Sequence, residues 1–86
     1  MTFSVVWAMA ALRAATALEQ ALGDAARVRA AQDRVDWALR RTPRDTGESR
    51  EPGYRPWYED VLGVYFRIDE NAMRVEVLYA GPSRRR

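Results

Sequence analysis

The side chains able to do chemistry in this chain form a narrow set. All 14 basic residues are Arg, and neither His nor Cys occurs. Without His the chain lacks the commonest general base and metal ligand. Without Cys it lacks disulfides, thiolate metal sites and a thiol nucleophile. Guanidinium forks remain, and forks bind carboxylates and phosphates in planar, two-pronged geometry. A biased genome composition is the plainer account of why no Lys is present. No metal or cofactor is expected.

Placement narrows the set further. The net charge is +2, and Arg84-Arg85-Arg86 alone carries three positive charges, so residues 1–83 sum to −1. A folded part so near neutral is a poor footprint for non-specific nucleic-acid binding. The longest irregular stretch, 44–53 (RDTGESREPG), is polar and holds two Gly and one Pro. Loops of this kind carry binding and catalytic groups, and they also serve as plain solvated connectors.

Two elements must position these groups. The first is a hairpin over residues 62–79. Leu62, Val64, Phe66 and Ile68 alternate with Gly63, Tyr65 and Arg67; Met73, Val75, Val77 and Tyr79 alternate with Arg74, Glu76 and Leu78. Period-two alternation gives each strand one apolar face. Two registers keep the apolar sides together. One opposes Arg67 to Arg74. The other opposes Arg67 to Glu76 and Asp69 to Arg74, and each such pair is worth roughly 0.2–1 kcal/mol. The second is preferred, with Asn71-Ala72 at the turn. Such a ribbon cannot stand alone in water and needs a cover.

The second element is that cover, a helical pair. Residues 8–22 are rich in Ala and Leu, with Ala8, Ala11, Leu12, Ala15, Leu18 and Leu22 on one stripe. Gly23 sits at a C-cap and Asp24 at the next N-cap. A second helix over 25–41 has Val28, Ala31, Val35, Ala38 and Leu39 inward. Trp37 lies roughly opposite that face. It reads either as an aromatic lying across Arg34 or Arg41, or as an anchor for a partner protein. Thr42-Pro43 ends the helix.

Before and after the pair, residues 2–7 (TFSVVW) predict a strand with Phe3, Val5 and Trp7 on one side. Residues 54–60 (YRPWYED) predict another, at a sheet edge or bulged because Pro56 has no N–H to donate. Trp57, like Trp37, has no evident place in the core and is a second partner-binding candidate. Regular structure is expected to stop at Ala80-Gly81-Pro82, and residues 83–86 to form a mobile basic tail. The whole is one domain over 1–86. Its class is α+β, ordered β-α-α-β-β-β, with a two-helix hairpin on one face of a small, mostly antiparallel sheet. No stretch approaches the ~18 apolar residues of a membrane span, and no basic region precedes the first apolar run, so no signal peptide is expected.

This pattern resembles the RelE/ParE superfamily of toxins from type II toxin–antitoxin systems. The resemblance runs from Phe3-Ser4-Val5-Val6-Trp7, through helices ending in Arg41-Thr42-Pro43 and the loop Gly47-Glu48-Ser49-Arg50. It ends with Leu62-Gly63-Val64-Tyr65-Phe66-Arg67-Ile68-Asp69 and Val75-Glu76-Val77-Leu78. It implies a small cytoplasmic toxin that inhibits growth and is neutralised by a cognate antitoxin. The implied targets are the ribosome with its mRNA, or DNA gyrase; no membrane and no small-molecule substrate is implied.

Members that cleave mRNA place an Arg early in the third strand, where this chain has Gly63. A second family Arg falls near Ser83, with Arg84 one place along. RNA cleavage needs a base for the 2′-hydroxyl, cations for phosphorane charge and an acid for the leaving oxygen. The resemblance leaves Glu48 as candidate base, with Arg50 and Arg55 beside it. Arg67, Arg84, Tyr58 and Tyr65 are candidates for holding RNA or another target, the tyrosines by stacking or proton donation. Three readings follow from it: a toxin that acts by binding, a ribonuclease with a rearranged Arg/Glu/Tyr set, and a non-toxic interaction module on the same fold.

Overall fold

The computed structural model describes residues 2–47 and 52–83. The order is β1 (Ser4–Trp7), α1 (Met9–Leu22), α2 (Ala25–Arg41), a short 3-10 turn (Pro43–Asp45), β2 (Tyr54–Glu59), β3 (Leu62–Asp69) and β4 (Arg74–Pro82). The four strands form one mixed sheet ordered β1-β4-β3-β2. Only the β1–β4 pair is parallel; the other two are antiparallel. β2 is therefore an edge strand, as Pro56 requires.

Both helices lie on one face of the sheet. Leu62, Val64, Phe66, Val75 and Val77 point into the core from the strands, joined by Phe3 just ahead of β1. They meet Ala11, Ala15 and Leu18 of α1 and Val28, Ala31, Val35 and Leu39 of α2. The small Ala side chains let α1 approach the sheet closely, and the full burial of Phe66 contributes about 1.5–3 kcal/mol. Leu12 and Leu22, expected on the buried stripe, are exposed. The chain between the helices turns as expected. Gly23 adopts φ +64° and donates its N–H to the Gln20 carbonyl, and the Asp24 carboxylate accepts from the Arg27 N–H at 3.1 Å.

The hairpin has the charge-matched register, Arg67 opposite Glu76 and Asp69 opposite Arg74. Its turn differs from the expectation. The left-handed residue is Met73, with φ +50°, and not Asn71. The Asp69 carboxylate accepts from the Ala72 N–H, and the Met73 N–H reaches the Glu70 carbonyl, so the loop closes over four residues. Met73 packs against the core, which offsets the cost of its backbone.

A larger difference lies further along. Tyr65 faces Tyr79, but Phe66 faces Val77, so Leu78 is an inserted residue in a β-bulge. Alternation therefore slips by one in β4. Val75 and Val77 point inward, while Tyr79, expected beside them, stands 65% exposed. Ala80 takes the inward place opposite Val64. The strand also continues through Pro82 instead of ending after Tyr79, because residues 80–82 complete the pairing with 62–64.

Candidate functional site

The helix-free face of the sheet carries a row of aromatic side chains. Parity in β2 and β3 puts Tyr54, Pro56 and Tyr58 on that face opposite Arg67, Tyr65 and Gly63. The bulge adds Tyr79 from β4. Tyr54 and Tyr65 stack with centroids 6.0 Å apart, and Tyr65 and Tyr79 lie tilted at 6.3 Å. Such cross-strand pairs stabilise the ribbon and present ring faces outward. Beside them Pro56, Tyr58, Gly63, Tyr65, Tyr79 and Pro82 line an open cleft of about 270 Å³.

Gly63 shapes this cleft. The Tyr58 ring lies over it, so that a Cβ there would sit 3.3 Å from the ring and 3.5 Å from the Pro82 carbonyl oxygen. A side chain at 63 would crowd the Tyr58 ring, which would have to give by a few tenths of an ångström. At this position, where the resemblance led one to expect an Arg, the chain has Gly63 with the Tyr58 ring of the neighbouring strand close by.

The charges on this face are matched. Arg67 donates to Glu76 across the strands, and that hydrogen bond, followed by the glutamate's charge, raises the guanidinium further above its ordinary range. Arg74 lies 3.8 Å from Asp69. Each cation on the ribbon already has its carboxylate, and each carboxylate its cation. A general base needs a carboxylate or imidazole free to take a proton. Among the described residues this face presents no such unpaired group. Its chemistry is stacking and apolar contact with a polar rim.

The residues singled out from sequence do not converge. Tyr58, Tyr65 and Arg67 share the helix-free face. Arg55 faces the other way, opposite Phe66 on the helix side, where its Nη1 donates to the Gly47 carbonyl at 3.5 Å. Glu48, Arg50 and Arg84 lie outside the described residues. Trp37 is 62% exposed on α2, with the Arg41 guanidinium 4.7 Å from its ring centroid. Trp57, the second partner-binding candidate, does find a place at the core: it is half-buried and packed against it, facing Val64. Its indole Nε1 is buried without a hydrogen bond among the described residues. Sequence reasoning missed Tyr54 and Tyr79. Tyr54 follows from the β2–β3 register, which the sequence left open. Tyr79 is legible only once the bulge is known.

No protein-family model matches the chain, and no curated protein matches it. Solved structures do. The toxin–antitoxin complex RelBE2 from Mycobacterium tuberculosis superposes with a TM-score of 0.77 at 21% identity, covering 96% of this chain and 100% of the matched one. The chromosomal ParDE toxin–antitoxin system from Pseudomonas aeruginosa gives 0.63 at 19% identity, over 93% and 95%. TrmO from Pseudomonas aeruginosa gives 0.61 at 21% identity over 93% of this chain, but only 33% of the TrmO chain. At these identities the likeness is one of fold. Two helices on one face of a mixed four-stranded sheet, in the order β-α-α-β-β-β, is the architecture of the RelE/ParE toxins, and the expected resemblance holds at that level.

Proposed function

We propose that this protein is the toxin of a toxin–antitoxin pair and that it inhibits growth by binding its target rather than by cutting RNA. The reading rests on the fold shared with the RelBE2 and ParDE structures over nearly the whole chain. The observation that carries the choice of binding over cleavage is Gly63 under the Tyr58 ring. It leaves that position without a cation and beside an aromatic ring, and the charges described on this face are matched in pairs, Arg67 with Glu76 and Arg74 with Asp69. The working surface is the tyrosine face, with Tyr54, Tyr65 and Tyr79 as its contacts. Its proposed targets are gyrase or the ribosome in the cytoplasm, and a cognate antitoxin covers exposed apolar surface until released.

Induced expression in a bacterial host tests this directly, read by growth, plasmid supercoiling and mRNA integrity. Growth arrest is expected without cleavage of ribosome-bound mRNA. Tyr65→Ala with Tyr79→Ala relieves the arrest, while Glu48→Ala, Arg50→Ala and Arg55→Ala together leave it intact. Cleaved mRNA that disappears in that triple variant would replace this reading with the ribonuclease. Expression without arrest would leave a non-toxic interaction module.

A further inference from the structure

The outward face of α2 carries a stripe that the functional reading does not use. Asp33, Trp37 and Arg41 follow one another at four-residue spacing on the exposed side of the helix. Trp37 is among the most exposed large apolar side chains of the molecule. Beside it, Asp33, Arg34, Trp37, Ala38 and Glu59 line an open groove of about 460 Å³ between α2 and the end of β2. Arg34 is held by Glu59 at 3.0 Å. Among the described residues the Asp33 side chain makes no ion pair or hydrogen bond, and the Arg41 side chain makes only its contact with the Trp37 ring.

The stripe is therefore an aromatic centre with an unspent negative charge four residues before it and an unspent positive charge four residues after it. Within one helix the two charges are about 12 Å apart, too far to pair. A uniformly acidic partner would satisfy Arg41 and repel Asp33, and a uniformly basic one would do the reverse. The occupant that satisfies both has the same stripe running the other way. We propose that a second copy of this chain docks here, the two α2 helices crossing antiparallel about a twofold axis through Trp37.

Under that symmetry a residue before Trp37 faces the one equally far after it on the partner copy. Asp33 then meets the partner's Arg41, twice over. Arg34 meets the partner's Arg40, a contact that each chain has already neutralised, since Arg34 holds Glu59 and Arg40 holds Asp36. The two Trp37 rings meet at the axis and enter the grooves beside them. Buried aromatic residues of this kind dominate interface energies. A single helix crossing buries less than the roughly 1,200 Å² of a stable complex, so the dimer is weak and concentration-dependent.

Sedimentation equilibrium of the purified chain, run from about 1 µM to about 1 mM to span weak affinities, tests the proposal. The parent is expected to self-associate into dimers, and Trp37→Ala to stay monomeric. Asp33→Arg and Arg41→Glu, each alone, are expected to weaken association about tenfold or more. The double variant, with the charges exchanged, recovers most of it, which no intramolecular repair can imitate at this separation. Circular dichroism confirms folding, which these exposed sites leave intact. A parent that is monomeric throughout, single charge variants without effect, or a double variant no better than either single one would each overturn the proposal.

Discussion

Gly47 shows how much one residue can fix. Its φ is +78°, and a Cβ added there would lie 2.2 Å from the Pro56 carbonyl oxygen. Both features oppose any side chain, so Gly47→Ala is expected to destabilise by about 1–3 kcal/mol, measured by urea unfolding. The same backbone contact seats the turn against β2 and gives Arg55 its hydrogen-bond partner. Phe66 makes the opposite case in the core. It is fully buried between both helices and the sheet, and Phe66→Ala is expected to cost about 3–5 kcal/mol in the same experiment. Phe66 was legible in the sequence from alternation alone. The Arg67–Glu76 pair was legible too, because only one of two registers avoids opposing like charges. The direction of Arg55 was not, since it depends on the β2–β3 register and β2 has no clean alternation of its own.

The bulge in β4 does most to set the character of the helix-free face. Leu78 is the extra residue, and without it Val77, Tyr79 and Ala80 would follow in ordinary in-out order with the present partners. Deleting Leu78 is thus expected to be tolerated, an unusual outcome for a residue inside a strand, and to leave a cooperative thermal melt. A non-cooperative melt would contradict the register described. The sequence could not reveal this bulge. Bulges are often flagged by a Gly, and here Val77-Leu78-Tyr79 reads as an uninterrupted strand. The bulge sets the small Ala80 opposite Val64 against the helices and turns the larger Tyr79 to solvent. The helices were easier to read. Their stripes and the Gly23-Asp24 junction specify them locally, and only Leu12 and Leu22 depart, since the narrow α1–sheet contact is filled by Ala11, Ala15 and Leu18.

At the scale of the molecule, ion pairs tie the helical segment to the sheet around its rim. Arg27 grips Asp60 through two hydrogen bonds of 2.7 Å, Arg34 holds Glu59, and Arg44 grips Glu70. The Arg27 hydrogen bonds hold the Asp60 carboxyl below its ordinary range, and Arg44 does the same for Glu70. A depressed carboxyl contributes stability above its unfolded-state value and loses it as pH falls through its folded one. Stability is therefore expected to decline on the acid side, below the usual carboxylate range, and Asp60→Asn with Glu70→Gln to flatten that decline in urea titrations. Added salt screens these exposed pairs and should shrink the difference. The parallel pairing of β1 with β4 has a temporal consequence. The first strand finds its only sheet neighbour in the fourth, so the sheet stays open until the hairpin that carries β4 has been made. Until then β1 has no strand to pair with, and whatever the finished surface does must wait for that closure.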